Sequence, residues 1–116
     1  MPIPAVNLDP PFNILRLSHV EFNVTDLAAS RAFYVDTLGL QVTDEDDAAI
    51  YLRAMEERGH HCMILKQAAD ASVSYIAFKV FSEDELDKAH DWFKAQGKPV
   101  AWVERAYQGR TLATID

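Results

Sequence analysis

The sequence predicts an α+β domain built from paired β-α-β-β-β modules, the second ending before its last strand, and three observations lead there. Alternating apolar and polar residues from Ile14 to Val24 run directly into a helical period, Leu27, Tyr34 and Leu38, closed by Gly39. The same plan returns in weaker form at 73–80, in a second helical period through Phe93, and in Gly97. His19 and Tyr75 are 56 residues apart and Gly39 and Gly97 are 58 apart, so the copies differ by a short insertion. A third observation is size: 116 residues with 49% apolar and 25% charged composition make one soluble globular domain with a real core.

Residues 1–13 hold Pro2, Pro4, Pro10 and Pro11, which block a helix and favour an extended arm laid on another surface. Residues 14–67 form the first module. Its strand over 14–24 puts Val20, Phe22 and Val24 on one face and Leu17, His19, Glu21 and Asn23 on the other. Thr25 or Asp26 offers a capping oxygen to the helix that follows, and Gly39 stops it. Short strands are expected over 40–43, 49–53 and 62–67, separated by the acidic turn Asp44 to Asp47 and a charged loop from Glu56 to His60.

Residues 73–116 form the second, incomplete module. A strand over 73–80 precedes a helix with the capping-box pair Ser82 and Glu85 and inward positions Leu86, Ala89 and Phe93. Strands over 100–103 and 111–115 then form a hairpin around Gln108-Gly109. The eighth strand of a complete pair is missing. The edge this leaves is expected to draw another chain, or the proline-rich arm, into a self-associated oligomer.

The net charge of -7 argues against phosphate-backbone binding, which needs clustered Lys and Arg. Nucleic acid is therefore not an expected partner. The N-terminus has no basic n-region or apolar h-region of a signal peptide, and no stretch approaches the roughly 20 apolar residues of a membrane span. Cys62 is the single cysteine, which rules out an intrachain disulfide and points to a reducing, cytoplasmic setting. Asn23-Val24-Thr25 matches a glycosylation sequon but reads as the end of a strand.

An apolar strand followed by Val24-Thr25-Asp26-Leu27, Ser30, Phe33-Tyr34 and Leu38-Gly39-Leu40 resembles the vicinal oxygen chelate superfamily of glyoxalases, bleomycin-resistance proteins and extradiol dioxygenases. A longer run adds Val35-Asp36, Val42-Thr43, Glu45-Asp46, Ile50-Tyr51-Leu52-Arg53 and His60-His61. It is similar to the N-terminal domain of the 3,4-dihydroxyphenylacetate (homoprotocatechuate) 2,3-dioxygenase family, most strongly from Leu15 to Gln67.

The resemblance implies a non-catalytic N-terminal domain of a catechol-cleaving parent in aromatic catabolism. In that family Fe(II) or Mn(II) is held by two His and one Glu of a C-terminal domain, leaving positions open for substrate and oxygen. That catalytic domain is the implied partner. No cofactor is expected in this chain itself, and no catalytic or cofactor-binding residue is assigned. The alternative is a free-standing glyoxalase-type dimer that binds a metal or small molecule between chains. A metal-free sequestering module is a further possibility, with Tyr51, Tyr75 and Trp102 as aromatic walls.

His19 is the sharpest candidate, because the resemblance puts it where catalytic modules carry their first metal-ligating His. Tyr75 stands where the second ligand would lie, so His19 reads as a vestigial, hydrogen-bonded residue, with Glu21 on its face as the nearest carboxylate. His60-His61 invites a metal reading, but adjacent strand residues point to opposite faces, and a loop edge is expected. His90 has no His or Cys at helical spacing. Asp44-Glu45-Asp46-Asp47 lacks the Gly and closing Glu of a calcium loop. Trp92, Phe93 and Trp102 read as packing residues. Cys62 has no nearby base in sequence to make it a nucleophile.

Overall fold

The computed structural model describes residues 2–116. It divides into two compact units, one of Leu17–Phe78 and one joining the segment up to Arg16 with Lys79–Asp116. The strands are β1 (Ile14–Val24), β2 (Gln41–Glu45), β3 (Ala49–Arg53), β4 (Met63–Gln67), β5 (Ser72–Val80), β6 (Val100–Val103) and β7 (Thr111–Thr114), and the α-helices are α1 (Leu27–Arg31) and α2 (Glu83–Ala95). A five-stranded sheet runs in the order β2-β3-β4-β1-β5, and β6 and β7 form a separate antiparallel pair. The expected strands and the second helix are all present, with ends shifted by a residue or two.

In the first unit the register sorts the side chains. β1 pairs parallel with β4 through Glu21↔Ile64 and Phe22↔Leu65, and β4 pairs antiparallel with β3 through Ile64↔Tyr51 and Leu65↔Ile50. One face therefore carries Phe22, Leu65, Ile50 and Leu52, and the core forms there. Leu52 and Leu65 are fully buried, with Val24, Leu27, Tyr34, Val35, Leu40 and Val42 packed around them. The opposite face carries Glu21, Ile64, Tyr51 and, beyond a bulge between Val42 and Asp44, the carboxylate of Asp44.

The first helix differs from expectation. Asp26 is the cap, its Oδ1 accepting from the Ala29 amide at 3.0 Å, but α1 ends at Arg31 and a π-helical turn continues over Ala32–Thr37. The Leu38 amide donates to the Phe33 carbonyl at 3.0 Å, five residues back. Through this wider turn Tyr34 and Val35 both reach the core, while Phe33 stays 50% exposed. Gly39 then takes φ +81°, a left-handed conformation that glycine adopts without steric cost.

In the second unit α2 ends in a Schellman motif. The Lys98 amide donates to Phe93 and the Gly97 amide to Lys94, with Gly97 at φ +75°. The N-terminal capping box is corrected: Ser82 makes no side-chain capping bond, and the Glu85 carboxylate turns to Asn13. Glu85 Oε2 accepts from the Asn13 amide at 2.8 Å and Oε1 from Asn13 Nδ2 at 3.3 Å. Glu85 is buried and so needs these donors, and a long-range partner outcompetes its own helix terminus. Ala89 is buried as expected, while Leu86 and Phe93 are half-buried. Phe12 packs against Trp92 and Phe93, with centroids 6.0 and 5.5 Å away. The β6–β7 connection makes its left-handed turn at Tyr107, φ +62°, rather than at Gly109. Among the described residues, no helix is long and apolar enough to cross a membrane.

Candidate functional site

The face of the five-stranded sheet opposite α1 gathers the imidazoles and phenols. Contacts climb β1 as they descend β5, from Asn13–Phe81 through His19–Tyr75 to Asn23–Ser72, so the two strands are antiparallel. His19 is buried on β1, and both its ring nitrogens are engaged. Nε2 lies 3.1 Å from the Tyr75 hydroxyl and Nδ1 lies 3.0 Å from the Ser18 hydroxyl.

His61 packs edge-on against His19, with ring centroids 4.7 Å apart, and against Tyr51 at 5.1 Å. This neighbour was invisible in the sequence. His60 and His61 precede β4 instead of lying on it, so strand alternation does not separate them, and their Nδ1 atoms meet at 3.0 Å. The expected loop edge is present, but the two rings share a cluster instead of pointing apart.

Burial lowers the His61 pKa to about 4, with the charges of His19 and His60 adding to the shift and Glu57 opposing it. His61 is therefore neutral at pH 7. Its Nε2 is buried without a hydrogen-bond partner. An unpaired buried N–H costs more than an idle lone pair beside aromatic edges. The favoured arrangement thus has Nδ1–H of His61 donating to His60, leaving Nε2 as the bare lone pair. Tyr51 is also held protonated: burial raises its pKa, with Asp46, Glu21 and Asp44 adding to the effect. The members of the cluster hydrogen-bond and pack on one another.

The remaining candidates lie elsewhere. His90 stacks on Trp102 at 5.5 Å with ring planes 11° apart. The Arg110 guanidinium sits 4.0 Å over the same indole and pairs with Asp87 at 2.6 Å. An open hollow of about 600 Å³ adjoins this stack, lined by Trp102, Glu104, Arg105 and Arg110 among others. Asp46 is a turn residue, its carboxylate accepting from the Ala48 and Ala49 amides at 2.8 and 2.9 Å. Glu45 pairs with Arg31 at 2.9 Å. Cys62 is a free, half-buried thiol.

Among the described residues, no three His, Cys, Asp or Glu side chains are grouped closely enough to hold a metal ion. The set of groups that meets His19 includes the His61 imidazole, the Tyr75 phenol and the Ser18 hydroxyl, with His60 meeting His61 in turn. It does not fit the two-His, one-carboxylate arrangement of a non-haem Fe(II) or Mn(II) oxygenase.

The fold and the His19 face together are those of a paired β-α-β-β-β protein. The chain matches the Glyoxalase/Bleomycin resistance protein/Dioxygenase superfamily over residues 16–113, and it belongs to that superfamily. Homoprotocatechuate 2,3-dioxygenase from Brevibacterium fuscum, in its anaerobic complex with 3,4-dihydroxyphenylacetate, is 37% identical with a TM-score of 0.85. The match covers 93% of this chain and 35% of that one. Metapyrocatechase of Geobacillus stearothermophilus is 27% identical over 109 residues, which are 89% of this chain and 33% of that protein. The manganese-dependent 2,3-dihydroxybiphenyl 1,2-dioxygenase of Geobacillus genomosp. 3 is 29% identical over 78% of this chain and 29% of that protein. The chain is thus homologous to extradiol ring-cleaving dioxygenases and spans about a third of their length.

Proposed function

We propose that this chain is the N-terminal, non-catalytic structural domain of an extradiol ring-cleaving dioxygenase that acts on 3,4-dihydroxyphenylacetate or a similar catechol in cytoplasmic aromatic catabolism. The observation that carries the reading is the bond between His19 Nε2 and the Tyr75 hydroxyl. The two residues stand at corresponding positions of the two copies, where catalytic modules of the superfamily would present metal ligands, and here a phenol satisfies the imidazole. Its role would be to supply a folded platform for a catalytic C-terminal domain that carries Fe(II) or Mn(II). Coverage of about a third of each relative supports the existence of such a partner.

The test is metal loading of the chain with Fe(II) and with Mn(II), followed by elemental analysis and a catechol-cleavage assay. The expected result is no stoichiometric metal and no ring cleavage by this chain. One tightly held ion per chain that disappears in His19→Ala would overturn the reading in favour of a free-standing metal-binding glyoxalase-type dimer.

A further inference from the structure

His19 and Tyr75 set an oxidisable phenol against a base. Both lie within the unit Leu17–Phe78, with the Tyr75 hydroxyl 3.1 Å from Nε2 of His19 and the Ser18 hydroxyl 3.0 Å from Nδ1. A neutral imidazole carries one N–H, so one of these hydroxyls donates to the ring and the other accepts from it. The phenol, with an ordinary pKa of about 10, is the more acidic of the two and the better donor. Its oxygen shares a lone pair with the aromatic ring and is the poorer acceptor. The favoured arrangement therefore has the Tyr75 O–H donating to Nε2, while Nδ1–H donates to Ser18.

That direction governs how the phenol loses an electron. Removing one makes the phenolic proton strongly acidic, and without a base the product is a high-energy cation radical. A base already bonded to the hydroxyl takes the proton as the electron leaves, so the products are a neutral phenoxyl radical and an imidazolium. Both N–H groups of that imidazolium keep an acceptor, Nε2–H on the phenoxyl oxygen and Nδ1–H on Ser18, which leaves no buried donor stranded.

The surroundings tolerate the new charge. The His61 ring, 4.7 Å away between centroids, is neutral and adds no second cation, and Glu21 lies two residues along β1 on the same face as His19. Two rival side chains are less suited. The Arg110 guanidinium, 4.0 Å over the Trp102 indole, opposes a radical cation on that ring. Tyr51 holds its proton more firmly, because burial raises its pKa.

We propose that Tyr75 is a one-electron redox site. An outer-sphere one-electron oxidant takes an electron from the phenol while the phenolic proton moves to His19 Nε2, so one O–H bond breaks and one N–H bond forms, and return of the electron returns the proton. This chemistry rests on the His19–Tyr75 pair and is independent of the dioxygenase reading. Photogenerated tris(bipyridine)ruthenium(III) acting on the 116-residue chain is expected to give a phenoxyl radical, seen by transient absorption and electron paramagnetic resonance, that forms more slowly in heavy water. Tyr75→Phe should remove most of that signal. His19→Gln keeps an oxygen that can accept from the phenol, but an amide cannot hold the proton. Its circular dichroism spectrum should be unchanged, while radical formation slows roughly tenfold or more and loses its solvent isotope effect. An unaltered chain that yields no phenoxyl radical, or an indolyl radical in its place, would overturn the proposal. So would a phenoxyl yield unchanged in Tyr75→Phe, or a rate unchanged in His19→Gln.

Discussion

The Tyr75 hydroxyl lies 3.1 Å from Nε2 of His19, joining the corresponding positions of two sequence copies across neighbouring strands β1 and β5. The bond ties the two copies together on the face opposite α1. It leaves the imidazole satisfied on both sides, since Ser18 holds Nδ1.

Tyr75→Phe keeps the ring and removes the hydroxyl, stranding a buried imidazole nitrogen. The expected loss is about 1–2 kcal/mol of unfolding free energy at pH 7, read from urea titration. His19→Phe with Tyr75→Phe removes both partners and should lose less than the sum of the single changes, which a double-mutant cycle resolves.

His61 titrates near 4 in the folded protein against 6.5 when unfolded, because burial disfavours its cation. Between those values the unfolded chain holds the extra proton, so stability is full above pH 6.5 and falls as pH drops toward 4. The shift corresponds to roughly 3 kcal/mol. The difference in urea midpoint between pH 7.5 and 4.5 should shrink markedly in His61→Gln, and an unchanged difference would assign the acid sensitivity to the carboxylates.

Glu85 has a lowered pKa, chiefly from the Asn13 amide, with the Asn13 side chain and Lys88 adding to it against the cost of burial. Its contribution is present above the ordinary carboxylate range and disappears as pH falls through the folded value. In Glu85→Ala the Asn13 amide should exchange with deuterium faster at pH 7. Lys88→Ala should change exchange little, because that ammonium is the more exposed partner, at 59%.

Gly39 and Gly97 sit at φ +81° and +75° with nothing within 4 Å of an added Cβ, so substitution there meets backbone strain and no clash. Gly39→Ala and Gly97→Ala should each cost about 1 kcal/mol. The two should add in the double variant, as thermal melts can check.

Much of the fold was legible because it follows from local period. Alternation from Ile14 to Val24 and around Ala49–Arg53 sorts side chains by face, and Gly39 and Gly97 mark helix ends that only glycine takes easily. The capping box at Ser82 and Glu85 failed for the opposite reason. The pattern names a helix terminus, but nothing in it reveals that Asn13, 72 residues away, offers Glu85 better donors. The π turn after Arg31 is similarly hidden, since the helical spacing of Leu27, Tyr34 and Leu38 tolerates one widened turn.

The sequence by itself determined the two-copy plan, the strands and helices, and the placement of His19 opposite Tyr75 in the repeat, because each depends on residues near in sequence or on a fixed offset. Only the tertiary structure decided what surrounds His19. His61 reaches it from the loop before β4, His60 meets His61, and Tyr51 packs from β3, three approaches set by sheet order and loop path. Burial within that cluster, a property of the assembled sheet, is what keeps His61 neutral.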